Sequence, residues 1–190
     1  MQTEDHYLLG YFLLEHHQAR LRPICQKLFL LGCIEPDWNL ITYARGSLRY
    51  RFLHGHNAEN VRKHLKYLTE KLCKTGVQTP LQWFRFGAAL HYLADSFTFA
   101  HNDIFAGSLK EHRLYEKLLH AVFIEYLQAR HMECFSADEI CHARYLTQQP
   151  SYQTDCRYIL GTAFDLSDRL NVLWNTDEAA IQHAAPGIYG

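Results

Sequence analysis

Thr79-Pro80-Leu81-Gln82-Trp83-Phe84-Arg85-Phe86-Gly87-Ala88-Ala89-Leu90-His91-Tyr92-Leu93-Ala94-Asp95-Ser96-Phe97 carries the clearest helical signal in the chain. It opens as a capping box: Thr79 can accept from the backbone N–H three residues on, and Gln82 can reach back. Pro80 stands at the first helical position, where its missing N–H costs nothing. Phe84, Ala88, His91 and Asp95 then fall on one helical stripe. The spacing predicts a helix to about Phe97 whose apolar face ends in a histidine and an acid.

The same features recur outward from it. Downstream, Ser108-Leu109-Lys110-Glu111 is a second capping box and predicts a long helix to about Ala129. Ser136-Ala137-Asp138-Glu139 opens a shorter helix, and a last one covers about Thr154 to Trp174. Upstream, Asn57 caps a helix to about Cys73, stopped by Gly76. A helix from Pro23 to about Gly32 follows a first helix over about 5–20, in which His6, Leu9, Leu13 and His17 share a stripe. Between Cys33 and His56 the pattern breaks, punctuated by Pro36, Asn39, Gly46 and Gly55, and long irregular segments of this kind often carry function. No segment reads as a strand. The expectation is an all-α, single-domain helical bundle over 1–190 with at least six helices, and a loose tail over 176–190.

Composition narrows the function. The 190 residues are 48% apolar and 21% charged, with a net charge of −1. A broad nucleic-acid footprint would need a basic excess, so no stable nucleic-acid partner is expected. Apolar runs such as Leu28-Phe29-Leu30-Leu31-Gly32 fall far short of the roughly 20 residues that cross a bilayer. The acidic start, Thr3-Glu4-Asp5-His6, lacks the positive region of a secretory signal, which points to a cytoplasmic protein. The six cysteines show no C-x-x-C spacing and read as reduced thiols rather than zinc ligands. The unusual feature is the thirteen histidines.

Two of them stand four residues before an acid: His91 before Asp95, and His112 before Glu116. At that spacing both side chains leave one helix face and can grip one ion. Chance alone would give about one or two such pairs in a chain this rich in His and acids. Position is the stronger argument. His91 and Asp95 extend the stripe of Phe84 and Ala88, and His112 and Glu116 extend that of Leu119, Phe123 and Leu127. An uncompensated carboxylate on a core-facing stripe is costly, and a bound cation removes that cost. His101 lies between the pairs, and His, His and Glu on one ion is an accepted zinc set. Asp37, His56 and His6 are further candidates.

The order of these residues resembles the bacterial zinc-dependent phospholipase C family, whose fold the zinc-dependent single-strand nucleases share. The resemblance rests on H-x3-D-x5-H followed by H-x3-E, read as His91, Asp95, His101, His112 and Glu116. Leu90-His91-Tyr92-Leu93-Ala94-Asp95-Ser96 looks like the family's core motif, Pro36-Asp37 like its aspartate loop, Gly55-His56 like its next histidine ligand and Asp5-His6-Tyr7 like its N-terminal helix ligand. It implies an all-helical bundle with a cluster of two or three zinc ions. His101, His112 and Glu116 would hold one ion and His56, His91, Asp37 and Asp95 a second. Asp95 would bridge to a third, to which His6 belongs. Secreted members complete that third site with the amino and carbonyl groups of an N-terminal tryptophan, which this sequence lacks. His54 is not expected to be a ligand.

The implied function is a zinc-dependent phosphoester hydrolase, a phospholipase C-like phosphodiesterase that uses a metal-bound water. Its substrates would be phosphate esters, phospholipids among them. Such ions lower the pKa of water and stabilise the attacking and leaving oxygens. Asp37 would orient or deprotonate the water, as the catalytic residue. Arg45, Arg49 and Arg51 lie in the irregular segment and read as solvated charges more readily than as a phosphate clamp. One alternative is a nuclease or nucleotide phosphatase on the same cluster, with Trp38, Tyr43 and Tyr50 as stacking platforms. Another is a metal-binding protein without turnover. That ranks last, because eight ligands with several carboxylates exceed what a structural zinc site uses.

Overall fold

The computed structural model describes residues 1–38, 58–129 and 142–175. These form helices α1 (Thr3–His16), α2 (Pro23–Trp38), α3 (Ala58–Thr75), α4 (Pro80–Ser96), α5 (Leu109–Gln128), α6 (His142–Tyr145) and α7 (Tyr152–Arg169), with a single 3-10 turn at Phe99–His101. No strand occurs among the described residues, and the all-α architecture expected from the sequence is the one observed. No described helix is long and apolar enough to cross a membrane. Tyr43, Arg45, Arg49, Tyr50, Arg51, His54, His56, the helix expected from Ser136 and the tail over 176–190 lie outside the described residues.

Both capping boxes form as read. Thr79 accepts from the Gln82 N–H while Gln82 accepts from the Thr79 N–H at 2.7 Å. Ser108 and Glu111 do the same at the start of α5. Gly76 ends α3 with φ +69°, a conformation that favours a residue without Cβ.

Four boundaries differ from the expectation. α1 stops at His16 rather than near residue 20, because Gln18 turns to φ 47° and the Arg20 N–H leaves to donate to the Trp174 carbonyl at 2.8 Å. α7 begins two residues before Thr154, because Ser151 is its N-cap and accepts from the Thr154 N–H at 3.0 Å. It ends at Arg169, with Asn171 at φ 46°. The largest difference is α2, which does not end near Gly32 but continues through Pro36 to Trp38. Asp37 therefore sits on the last turn of a helix and not in an irregular segment.

Gly32 explains that misreading. α2 packs along α4 in the most extensive helix contact of the fold. Where the two cross, a Cβ on Gly32 would come within 2.1 Å of the Phe84 carbonyl oxygen, and a Cβ on Gly87 within 2.2 Å of that of Phe29. Both glycines are there so that two backbones can touch, and neither ends a helix. Around this crossing lies an aromatic core: Phe29 stacks on Phe86 with centroids 5.3 Å apart, and Trp83 meets Trp174 at 5.4 Å. α1 lies against α2 and also touches α4 and α5, and α7 closes over α4 and α5.

Gly32→Ala or Gly87→Ala should push α2 from α4. Overpacking of this kind typically costs about 1–3 kcal/mol. For a chain of this size that is a fall of roughly 2–12 °C in melting temperature, measurable by circular dichroism. A variant that melts with the wild type would show that the helices separate without strain.

Candidate metal centre

The tight α2–α4 crossing sets the first ligand-type side chain. His91 sits on α4 one turn past Gly87, facing α2, and its Nδ1 lies 2.8 Å from the Cys33 carbonyl oxygen. A carbonyl only accepts, so Nδ1 carries the proton and Nε2 is turned toward the carboxylates, 3.5 Å from Asp37 Oδ1 and 3.4 Å from Asp95 Oδ2. Such an outer hydrogen bond is the usual means of orienting a metal-binding histidine. Asp37 is held in turn by Thr3, whose hydroxyl donates to Oδ2 at 2.8 Å.

Helix α1 supplies His6. Its ring stacks on that of His91, with centroids 3.7 Å apart, and its Nε2 faces Asp95 Oδ1 at 3.2 Å. The first turn of α1 is fastened by Asp5, which accepts from the Gln2 N–H at 3.0 Å and pairs with His120 Nδ1 on α5. The amino group of Met1 is thereby brought among the acids, 3.0 Å from Asp95 Oδ1, 3.4 Å from Glu116 Oε1 and 2.8 Å from His101 Nε2. An amine stands among these groups although no tryptophan carries it.

The 3-10 turn supplies His101 and α5 supplies His112 and Glu116. His101 Nε2 lies 3.0 Å from Glu116 Oε1, and His112 Nε2 lies 3.4 Å from the same oxygen. His101 Nδ1 is 3.6 Å from Asp95 Oδ2, so Asp95 faces both halves of the cluster. Two groups of three side chains have donor atoms within 4.8 Å of one another: His6, His91 and Asp95, all buried, and His101, His112 and Glu116, all half-buried. Seven of the eight residues singled out in the sequence, His6, Asp37, His91, Asp95, His101, His112 and Glu116, thus converge; His56 is the eighth.

The electrostatics favour a cation. Burial opposes the charge on Asp95, but His101, the Met1 amine, His6 and His91 together hold its carboxyl well below the usual range. Glu116 is likewise drawn far down, against burial, by its bonds to His101 and His112. Burial, reinforced by the neighbouring His91, lowers His6 to about 4, so its ring is neutral. His91 is raised: burial works against its charged form, and Asp95 and Asp37 outweigh it. Both ring nitrogens of His6 are fully buried and neither makes a hydrogen bond. Orphaned imidazole nitrogens beside a buried carboxylate are what zinc would satisfy, and nitrogen and carboxylate donors are its usual ligands.

Reading the sequence missed the supports of this cluster. Asp155, fully buried on α7, accepts from the Phe99 N–H and the Tyr115 hydroxyl through Oδ2, each at 2.9 Å, and from the Tyr145 hydroxyl through Oδ1 at 2.8 Å. Asp155 shares a stripe with Ile159, Thr162 and Leu166, all buried. An acid on an apolar stripe is the same signal that singled out Asp95. Asp5 and Met1 left no comparable sign.

A sequence model of the family described as zinc dependent phospholipase C matches residues 6–171. No curated protein and no solved structure matches the chain.

Burial pushes the Asp155 carboxyl up to about 6, against the pull of the Phe99 N–H and the two tyrosine hydroxyls. A folded-state pKa above the unfolded value of about 3.9 means that the native state holds this proton more tightly. The resulting stability is fully present below the unfolded pKa and is lost as pH rises through 6. In chelator, the melting temperature of the wild type should therefore fall relative to that of Asp155→Asn between pH 4 and pH 7. A difference between the two proteins that stays constant across this window would contradict the raised pKa.

Proposed function

The chain belongs to the zinc-dependent phospholipase C family, and on that premise we propose that it is a phospholipase C-like phosphodiesterase working through two or three zinc ions. The observation that carries this reading is the pair of three-residue groups joined by Asp95. His101, His112 and Glu116 would hold one ion. His6, His91 and Asp95 would hold another, with Asp37 and His56 as further ligands. The set of histidines and shared carboxylates supports a catalytic cluster over a structural zinc site, which closes four ligands around one ion.

Zinc held by these residues would supply a water of lowered pKa and positive charge for a phosphate. The chain's own groups do the rest. Cys33 fixes the His91 tautomer, so that ring presents Nε2 and keeps its proton outside the cluster. Thr3 holds one oxygen of Asp37 and leaves the other toward His91. The Asp37 side chain is partly exposed, at 23%, whereas that of Asp95 is 3% exposed. Solvent thus reaches Asp37 but hardly Asp95, and access to water is required of a base that takes a proton from it. Asp95 is buried among its partners and serves as a fixed charge.

A nuclease or nucleotide phosphatase is the second reading. One observation favours it: Trp38, next to Asp37, is 71% exposed and offers a ring on which a base can stack. A panel of phospholipid, bis-nitrophenyl phosphate, single-stranded nucleic acid and nucleotide monophosphates separates the readings. Preference for phospholipid over nucleic acid that survives Trp38→Ala supports the first, and nucleic-acid cleavage that is lost in Trp38→Ala supports the second.

His91→Ala and Glu116→Ala should each reduce phosphodiester hydrolysis by orders of magnitude, because each empties or distorts an ion site. Ligand that binds only the folded state stabilises it by mass action, so chelator should lower the melting temperature of the wild type and lower that of Glu116→Ala much less. A wild type that holds no zinc when zinc is supplied, and melts alike with and without chelator, would defeat the cluster. Hydrolysis undiminished in both variants would defeat the mechanism alone.

A further inference from the structure

Outside the cluster, Asp155 is the buried charged group with the most connections to it. Its Oδ2 accepts two hydrogen bonds, and the two donors belong to different elements. Phe99 N–H opens the 3-10 turn whose last residue is His101. Tyr115 directly precedes Glu116 on α5. The rings of Phe99 and Tyr115 also touch, with centroids 5.8 Å apart. One oxygen atom thus ties the turn that carries His101 to the helix that carries Glu116, and those two side chains meet at 3.0 Å. The other oxygen is bonded to Tyr145 on α6.

We infer that Asp155 is a positioning residue for the group His101, His112 and Glu116: it sets the distance between the turn and α5, and thereby the affinity of that group for zinc. The inference rests on the reading of that group as a zinc site. A three-residue turn has few bonds of its own to hold it, since a 3-10 turn is short and its hydrogen bonds are poorly aligned. His101 N–H donates to the Thr98 carbonyl within the turn, which shapes it but does not orient it against α5. Asp155 performs that orientation from a third element, α7. A carboxylate suits the task because it accepts only, and all three groups aimed at it donate. The group His6, His91 and Asp95 is carried by α1 and α4, whereas the three donors to Asp155 belong to the 3-10 turn, α5 and α6.

The test is a zinc titration of the full chain against a chromophoric chelator, with Glu116→Ala and His6→Ala marking which class of bound zinc belongs to which group. Asp155→Ala should weaken the class that Glu116→Ala abolishes by about 10–100-fold, the usual loss when an outer support of a metal ligand is removed. The class that His6→Ala abolishes should stay within about twofold on the same scale. Tyr145→Phe removes a bond to Asp155 that reaches no ligand, so it should lower the melting temperature and leave both classes unchanged. An Asp155→Ala protein that melts lower but binds zinc like the wild type overturns the inference, as does equal weakening of both classes. If Asp155→Ala does not melt cooperatively, Asp155→Asn carries the test. It keeps the shape with one acceptor fewer, and a selective loss supports the inference while unchanged affinity overturns it. Zinc binding unaltered in Glu116→Ala would instead remove the zinc reading, and the inference with it.

Discussion

The buried carboxylate of Asp95 is the constraint around which this molecule is arranged. It is 2% exposed and lies at the end of an apolar helix face. A charge taken out of water there is tolerable only if positive or hydrogen-bonding groups surround it. They come from several directions: His6 from α1, the Met1 amine from just before it, His91 from Asp95's own helix and His101 from the turn beyond. The stacking of His6 on His91 follows from the same demand, because both rings crowd toward one carboxylate. Two imidazoles at 3.7 Å cannot both be protonated cheaply, and His6 is the one that stays neutral.

Holding so many groups at one point requires backbones that approach unusually closely. The glycine crossing of α2 and α4 provides this. It brings the Cys33 carbonyl within reach of His91 and carries Asp37, one turn further along α2, to the rim of the cluster. Asp5 and His120 perform the corresponding task for α1, fastening its first turn to α5. The cluster then passes from a buried half to a half-buried half. This gradient suits hydrolysis, in which some charges must be fixed while others meet substrate and water.

Much of this was legible in the sequence. The helices around Thr79 and Ser108 follow from capping chemistry that operates over four residues and needs no distant partner. The pairing of His91 with Asp95, and of His112 with Glu116, follows from helical period alone. Glycine and proline are the exceptions. By local preference Gly32 ends a helix and Pro36 breaks one, whereas α2 runs through both. Their meaning is set by what lies opposite, and the backbone of Phe84 opposite Gly32 is 52 residues away in the chain.

By itself the sequence determined the helical class, the ligand-type residues and their order, because these depend on local period and on residue chemistry. The family resemblance added the expectation that the groups meet. Tertiary structure alone decided which atoms face which: that His91 turns Nε2 inward because a carbonyl of another helix holds Nδ1, and that Met1 enters the cluster. It also decided that Asp155 ties the His101 turn to α5. Each of these rests on a few hydrogen bonds or ion pairs between residues far apart in the chain. Such contacts have no period and leave no local pattern, so they exist only once the helices have packed.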